Sequence, residues 1–134
     1  MKNPSVGFVI FAKNKKLVST FYRIALGLTL EKSDHDHDVL ASDSYQIVIH
    51  AIAESVAKNI EIAVPPKPRE ETPIKPVFVV SDFEQLRRDI EKTGGFLKPT
   101  SQSWLIRGFI VLDGWDPEGN IVQFKKIETS IELP

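Results

Sequence analysis

Cysteine is absent from the sequence. Disulfides, thiolate nucleophiles and cysteine-held zinc are therefore excluded, and stability has to come from a packed core. A surplus of charge is missing too. Lys and Arg number 17 against 18 Asp and Glu, leaving a formal net charge of −1 and a pI of about 6.3. That balance supplies no basic field to hold a phosphate backbone, so nucleic acid is not an expected partner. No apolar run reaches the roughly 18 residues of a membrane span. The run at 5–12 is too short for a signal-peptide core with proper flanks. The expectation is a cytoplasmic protein that makes no membrane contact. Glycine-rich phosphate loops, His-Glu-x-x-His, Walker sequences and nucleophile elbows are absent as well.

What is present is an ordinary globular mix of 42% hydrophobic and 26% charged residues in a chain of 134. That length suits one domain, or two small modules sharing a core. It can bury roughly two-thirds of its unfolded surface without a staple.

Periodicity divides the chain into alternating elements. Residues 6–12 are apolar on both faces and predict a central strand. Asn14 is a helix N-cap type, and the spacing predicts a helix over 15–26. Leu17, Phe21 and Ile24 form its apolar stripe, with Tyr22 at the edge, and Gly27 closes it. Short strands are expected at 28–32 and 39–41, and a strong one at 45–52. The turn 33–38, with Asp34, His35, Asp36, His37 and Asp38, reads as a solvated hairpin and a poor chelate. One helical turn is expected at 54–59, then an extended stretch at 60–64. Prolines stiffen 65–73 into a linker.

The order then repeats. A strand is expected at 76–81, followed by an N-cap at Asp82. A helix follows, with Phe83, Leu86 and Ile90 on its inner stripe and Gly94-Gly95 at its close. Strands follow at 96–98, 104–112 and 121–127. The tail 128–134 shows no pattern. A shift of 68 residues places Asn14 on Asp82 and Gly27 on Gly95. The expected organisation is one domain of two βαβββ modules, 5–64 and 74–127, joined by the linker 65–73. The fold class is α+β: a cup-shaped mixed sheet with helices on its outer face.

Asp116-Pro117-Glu118-Gly119-Asn120 is a turn with a mechanism. Pro117 presets its φ, and Gly119 and Asn120 tolerate a positive one. This turn, Phe21-Tyr22-Arg23 with Leu26-Gly27-Leu28, and Gly94-Gly95 together resemble the vicinal oxygen chelate superfamily. That group includes glyoxalase I, extradiol dioxygenases, fosfomycin-resistance enzymes and bleomycin-resistance proteins. The resemblance spans residues 5–127. It implies a small-molecule ligand in the cup, with homodimers common. In metal-dependent members, four strands each give one ligand to a divalent cation. The resemblance places those positions on Gly7, His50, Pro76 (beside Lys75) and Gln123. Gly7 and Pro76 carry no ligand atom and Gln123 offers a neutral amide, so no metal and no other cofactor is expected.

The cup positions are expected to be Val9, Phe11, Val48, Ile52, Phe78, Val80 and Ile121. Expected ligand-binding residues are His50, Gln123, Arg107, Gln46, Phe78 and Trp104. His50 with Gln123 reads either as a ligand-orienting pair or as two groups bonded to each other; His50 is also the one candidate base. Arg107, read as mid-strand, either grips an anion, pairs with an Asp such as Asp113, or meets a second copy. Three functions remain open. The first is metal-free binding of a small molecule in the bleomycin-resistance manner. The second is a glyoxalase- or lyase-type reaction using His50, with or without a metal. The third is a non-catalytic interaction module.

Overall fold

The computed structural model describes residues 4–128. The unpatterned tail beyond residue 128 lies outside the described residues.

The first module runs β1 (Gly7–Ala12), α1 (Lys15–Leu26), β2 (Thr29–Ser33), β3 (His37–Ala41) and β4 (Gln46–Ala51). A short helix, α2 (Glu54–Ala57), precedes the linker. The second module runs β5 (Val77–Val79), α3 (Phe83–Lys92), β6 (Phe96–Leu97), β7 (Trp104–Ile106), β8 (Phe109–Trp115) and β9 (Ile121–Ile127). The sheets have orders β1-β4-β3-β2 and β5-β9-β8-β6, with β7 also on β8. In each, the first strand lies parallel to the last and the remaining pairs are antiparallel. The mixed α+β class and the doubled module are therefore as expected.

Both helix starts follow from local chemistry. The Asn14 side chain accepts from Leu17 N, and Asp82 accepts from Glu84 N and Gln85 N. Each cap satisfies amides that the helix leaves orphaned, and is worth about 1 kcal/mol. Gly27 ends α1 in the left-handed region at φ 64°.

Tertiary packing revises several expectations. β1 is an edge strand: its Val9 and Phe11 lie on an exposed face, so continuous apolarity did not mean burial on both sides. The inner face of α1 carries Val18, Phe21 and Tyr22, whereas Leu17 is exposed. Tyr22 is buried because both modules' apolar faces meet over it. Phe8, Tyr22 and Tyr45 ring Phe78 at centroid distances of 5.9, 6.4 and 5.3 Å. Phe78 thus joins the shared core. On β5 it is Val77 and Val79 that turn outward, one residue out of step with the expected Phe78 and Val80.

The expected strand at 104–112 is broken. Ile106 pairs with Phe109 across a two-residue loop, Arg107-Gly108, with φ values of 49° and 81°. Positive φ at both central positions is the hairpin-turn pattern whose twist matches the flanking strands. Arg107 therefore occupies an exposed hairpin tip and is not mid-strand.

Candidate functional site

The turn at 116–120 joins the modules. Asp116 Oδ1 accepts from Glu118 N and Asn120 N, at 2.8 and 3.1 Å. Its Oδ2 accepts from Asn120 Nδ2 and from the Tyr22 hydroxyl, both at 2.8 Å. The Glu118 carboxylate reaches the first module and accepts from Lys13 N at 2.9 Å and Asn14 N at 2.7 Å. Gly119, at φ 85°, lies against the linker: a Cβ there would collide with Lys67 O. Arg69 N donates to Gly119 O, and Arg69 Nε donates to Glu118 O. Burial pushes the Asp116 carboxyl up against the pull of its hydrogen bonds. Burial first, and then the Asp116 charge, pushes the Tyr22 phenol well above its usual value.

This clamp sets the edge strands β1 and β5 on either side of a cavity of about 680 Å³. Gly7, Val9 and Phe11 line it from β1, and Pro76 and Val77 from the start of β5. Ile74, Thr72 and Arg69 come from the linker side, and Phe8, Tyr22 and Phe78 from the core side. The size and apolar lining suit a small organic molecule.

His50 stands one strand out from this cavity. It pairs with Phe11 in register, and the two rings are 5.3 Å apart. Its Nδ1 contacts Ala51 O at 2.9 Å, which makes Nδ1 the donor and leaves Nε2 as the available nitrogen. His37, opposite it on β3, meets it edge-on at 4.4 Å. Elsewhere in the turn Asp34 accepts from Asp36 N and His37 N, an ordinary Asx turn.

Gln123 stands one strand out on the other side, in register with Val77. Its partner is Asp113: Gln123 Nε2 donates to Asp113 Oδ1 at 3.2 Å. Lys75 Nζ holds the other oxygen, Oδ2, at 3.0 Å. His50 and Gln123 therefore flank the cavity from separate sheets, each with a partner of its own.

Of the remaining expected residues, Gln46 pairs with Gly7 at the foot of β1, and Trp104, on β7, pairs with Val111 of β8. Arg107 lies at the hairpin tip. Asp113 was missed as the partner of Gln123. A signal existed: the turn sets Trp115 opposite Ile121, and counting back along the hairpin sets Asp113 opposite Gln123.

Of the four positions that the resemblance assigns to metal ligands, Gly7 and Pro76 line this cavity and His50 and Gln123 stand one strand away, and their chemistry does not fit a cation. Gly7 and Pro76 offer no side-chain donor, and Gln123, whose Nε2 is held by Asp113, offers only a neutral amide oxygen. Among the described residues no three His, Asp or Glu side chains converge on one point. Among them, too, no helix is long and apolar enough to cross a membrane.

Two modules with parallel outer strands, helices over one face and a cavity at the seam define a doubled βαβββ protein. The chain has the fold of the vicinal oxygen chelate superfamily. It is similar to a glyoxalase/bleomycin resistance protein/dioxygenase family enzyme from Burkholderia phytofirmans PsJN, at 16% identity and TM-score 0.67 over 93% of this chain and 99% of that one. It is also similar to the fosfomycin resistance protein FosX from Mesorhizobium loti, at 9% identity and TM-score 0.62 over 100% of this chain and 99% of that one. A glyoxalase/bleomycin resistance protein/dioxygenase from Alicyclobacillus acidocaldarius matches at 19% identity and TM-score 0.57, with 100% of both chains covered. At these identities the likeness is one of fold. No family model and no curated protein matches the sequence.

Proposed function

We propose that this protein binds a small organic molecule in the cavity between β1 and β5, without a transition metal. The observation that carries this reading is the cavity itself: about 680 Å³, apolar on its floor and flanked by His50 and Gln123. Proteins sharing the fold include ones named for bleomycin and fosfomycin resistance, which is consistent with a cleft used for small molecules. The absence of side-chain donors at Gly7 and Pro76 supports binding without a cation. In this reading the polar contacts come from His50, in register with Phe11, and from Gln123, in register with Val77.

A second copy of the chain completes the site. Val9 is 50% exposed, Phe11 61% and Val79 64%, all on sheet faces turned away from the helices. Covering such area removes apolar surface from water at about 25 cal/mol per Å². Light scattering is expected to show a dimer; a monomer at micromolar concentration would overturn this part.

The test of binding is a thermal-shift screen of small carboxylates and aromatics, followed by a structure with whichever compound shifts the midpoint. A ligand at a hundred times its Kd adds about 2.7 kcal/mol to stability, which a midpoint shift reports. The reading fails if no compound shifts the midpoint and a crystal structure shows the cavity closed by side chains. Elemental analysis of untagged protein is expected to find no stoichiometric transition metal; near-equimolar metal would overturn the metal-free mode.

A further inference from the structure

We propose that Lys75, Asp113 and Gln123 form a recognition site for 2-hydroxy carboxylates on an apolar body. The inference rests on the reading that the adjoining cavity binds a small molecule, and it names that molecule's class.

Asp113 is 9% exposed, and both its oxygens are occupied, by Lys75 Nζ at 3.0 Å and Gln123 Nε2 at 3.2 Å. An ionised carboxylate only accepts hydrogen bonds. The Gln123 amide must therefore turn its nitrogen toward Asp113, and its Oε1 is left as the atom presented to a ligand. Asp113 is thus a positioning residue, and Gln123 acts as an acceptor for a hydroxyl. Lys75 has donors to spare, because one N–H satisfies Asp113 and its side chain is 41% exposed.

The charge balance favours an anion. Asp113 offsets one cation, and a second stands on the same strand face: Lys125, two residues beyond Gln123, with Nζ 4.2 Å above the Phe109 ring. A carboxylate on Lys75 with its neighbouring hydroxyl on Gln123 Oε1 uses both polar groups. The apolar body then extends along Val77 into the cavity, since Val77 pairs with Gln123 and lines the cavity with Val9 and Ile74.

The experiment is calorimetric titration of the full chain with 2-hydroxy-4-methylpentanoate and its 2-oxo counterpart. The native protein is expected to prefer the hydroxy acid by about tenfold. In Asp113→Asn, the new amide keeps its oxygen on Lys75 and turns its nitrogen to Gln123 Oε1, which rotates the Gln123 N–H outward. The preference is then expected to invert toward the oxo acid, a reversal that mere loosening does not produce. Gln123→Met is expected to retain binding through Lys75 and lose the discrimination. Lys75→Met is expected to lose affinity for both acids. Equal affinities of native protein for the two acids, an uninverted preference in Asp113→Asn, or no binding of either acid at millimolar concentration would overturn the proposal. Ligands from the wider screen that perturb backbone amides at Val9 and Phe11 but leave Lys75 and Gln123 unmoved would uphold the cavity reading and sink this one.

Discussion

The Tyr22 hydroxyl donates a 2.8 Å hydrogen bond to Asp116 Oδ2 across 94 residues of sequence. One partner is on the helix of the first module, the other at the turn that starts the last strand of the second. Both are buried, so the bond forms only when the two modules share their core.

Tyr22→Phe removes this donor and is expected to cost about 1–3 kcal/mol, the range for a buried acceptor that loses a partner. It also changes the alkaline limb. Burial pushes Tyr22 well above its usual value, and burial pushes Tyr45 up to about 12. In the unfolded chain both phenols titrate near pH ~10. Their contribution is complete below that value and is lost as pH rises toward the folded ones. Urea denaturation is expected to show a steeper fall in stability above pH ~10 for the native protein than for Tyr22→Phe. Identical slopes would count against the buried phenol.

Glu118→Gln keeps the size of the side chain that docks the turn onto the first module. It replaces one of two acceptors with a donor facing a backbone N–H, at Lys13 or Asn14. A loss of about 1 kcal/mol is expected, because a part-buried amide loses its acceptor. Chemical denaturation measures it. A change within a few tenths of a kcal/mol would mean that the carboxylate is dispensable to docking.

Lys15 Nζ contacts Asp38 Oδ1 at 2.8 Å, with both side chains largely covered. Burial pushes the Asp38 carboxyl up, but hydrogen bonds from Lys15, Ser33 and Ser19 outweigh it and hold the carboxyl below its usual value. Its stabilisation is therefore present above the unfolded value near ~3.9 and is lost as pH falls through the folded one. Lys15→Met is expected to cost about 1–3 kcal/mol at neutral pH. The gap from native protein should narrow below pH ~4 as Asp38 protonates. A gap independent of pH would show that Lys15 acts through packing alone.

Gly108→Ala places a Cβ on a residue at φ 81° and is expected to destabilise by about 1 kcal/mol. Arg107→Asn, at φ 49°, is expected to stabilise by a few tenths of a kcal/mol, since Asn tolerates the left-handed region. Thermal midpoints should move in opposite directions for the two variants.

His50→Ala removes the ring that packs on Phe11 and His37 beside the cavity. It is expected to weaken any ligand found in the screen by about tenfold, with the oligomeric state unchanged. Unchanged affinity would remove His50 from the site.

Elements whose signals are local were legible in advance. Asn14 and Asp82 cap helices because their side chains reach amides two or three residues ahead, which spacing alone reveals. The turn at 116–120 was legible for the same reason, and with it the approach of the last strand. Legibility failed where the partner was distant. Leu17 and Tyr22 sit on neighbouring faces of one helix, and only the second module's Phe78 and Asp116 decide which of them is buried. Arg107 resembled a mid-strand charge because Trp104 through Leu112 is otherwise strand-like. The fold of the hairpin is what made Arg107-Gly108 a turn.

By itself the sequence determined the doubled module, the capped helices, the turn and the exclusion of cysteine chemistry. Each depends on residue type and on neighbours within a turn of helix or a strand pleat. The tertiary structure decided which strand faces stay open, that β1 and β5 border one cavity, and that Gln123 answers to Asp113 and not to His50. Those outcomes depend on register and on the meeting of two apolar faces, which join residues that no short window of sequence contains.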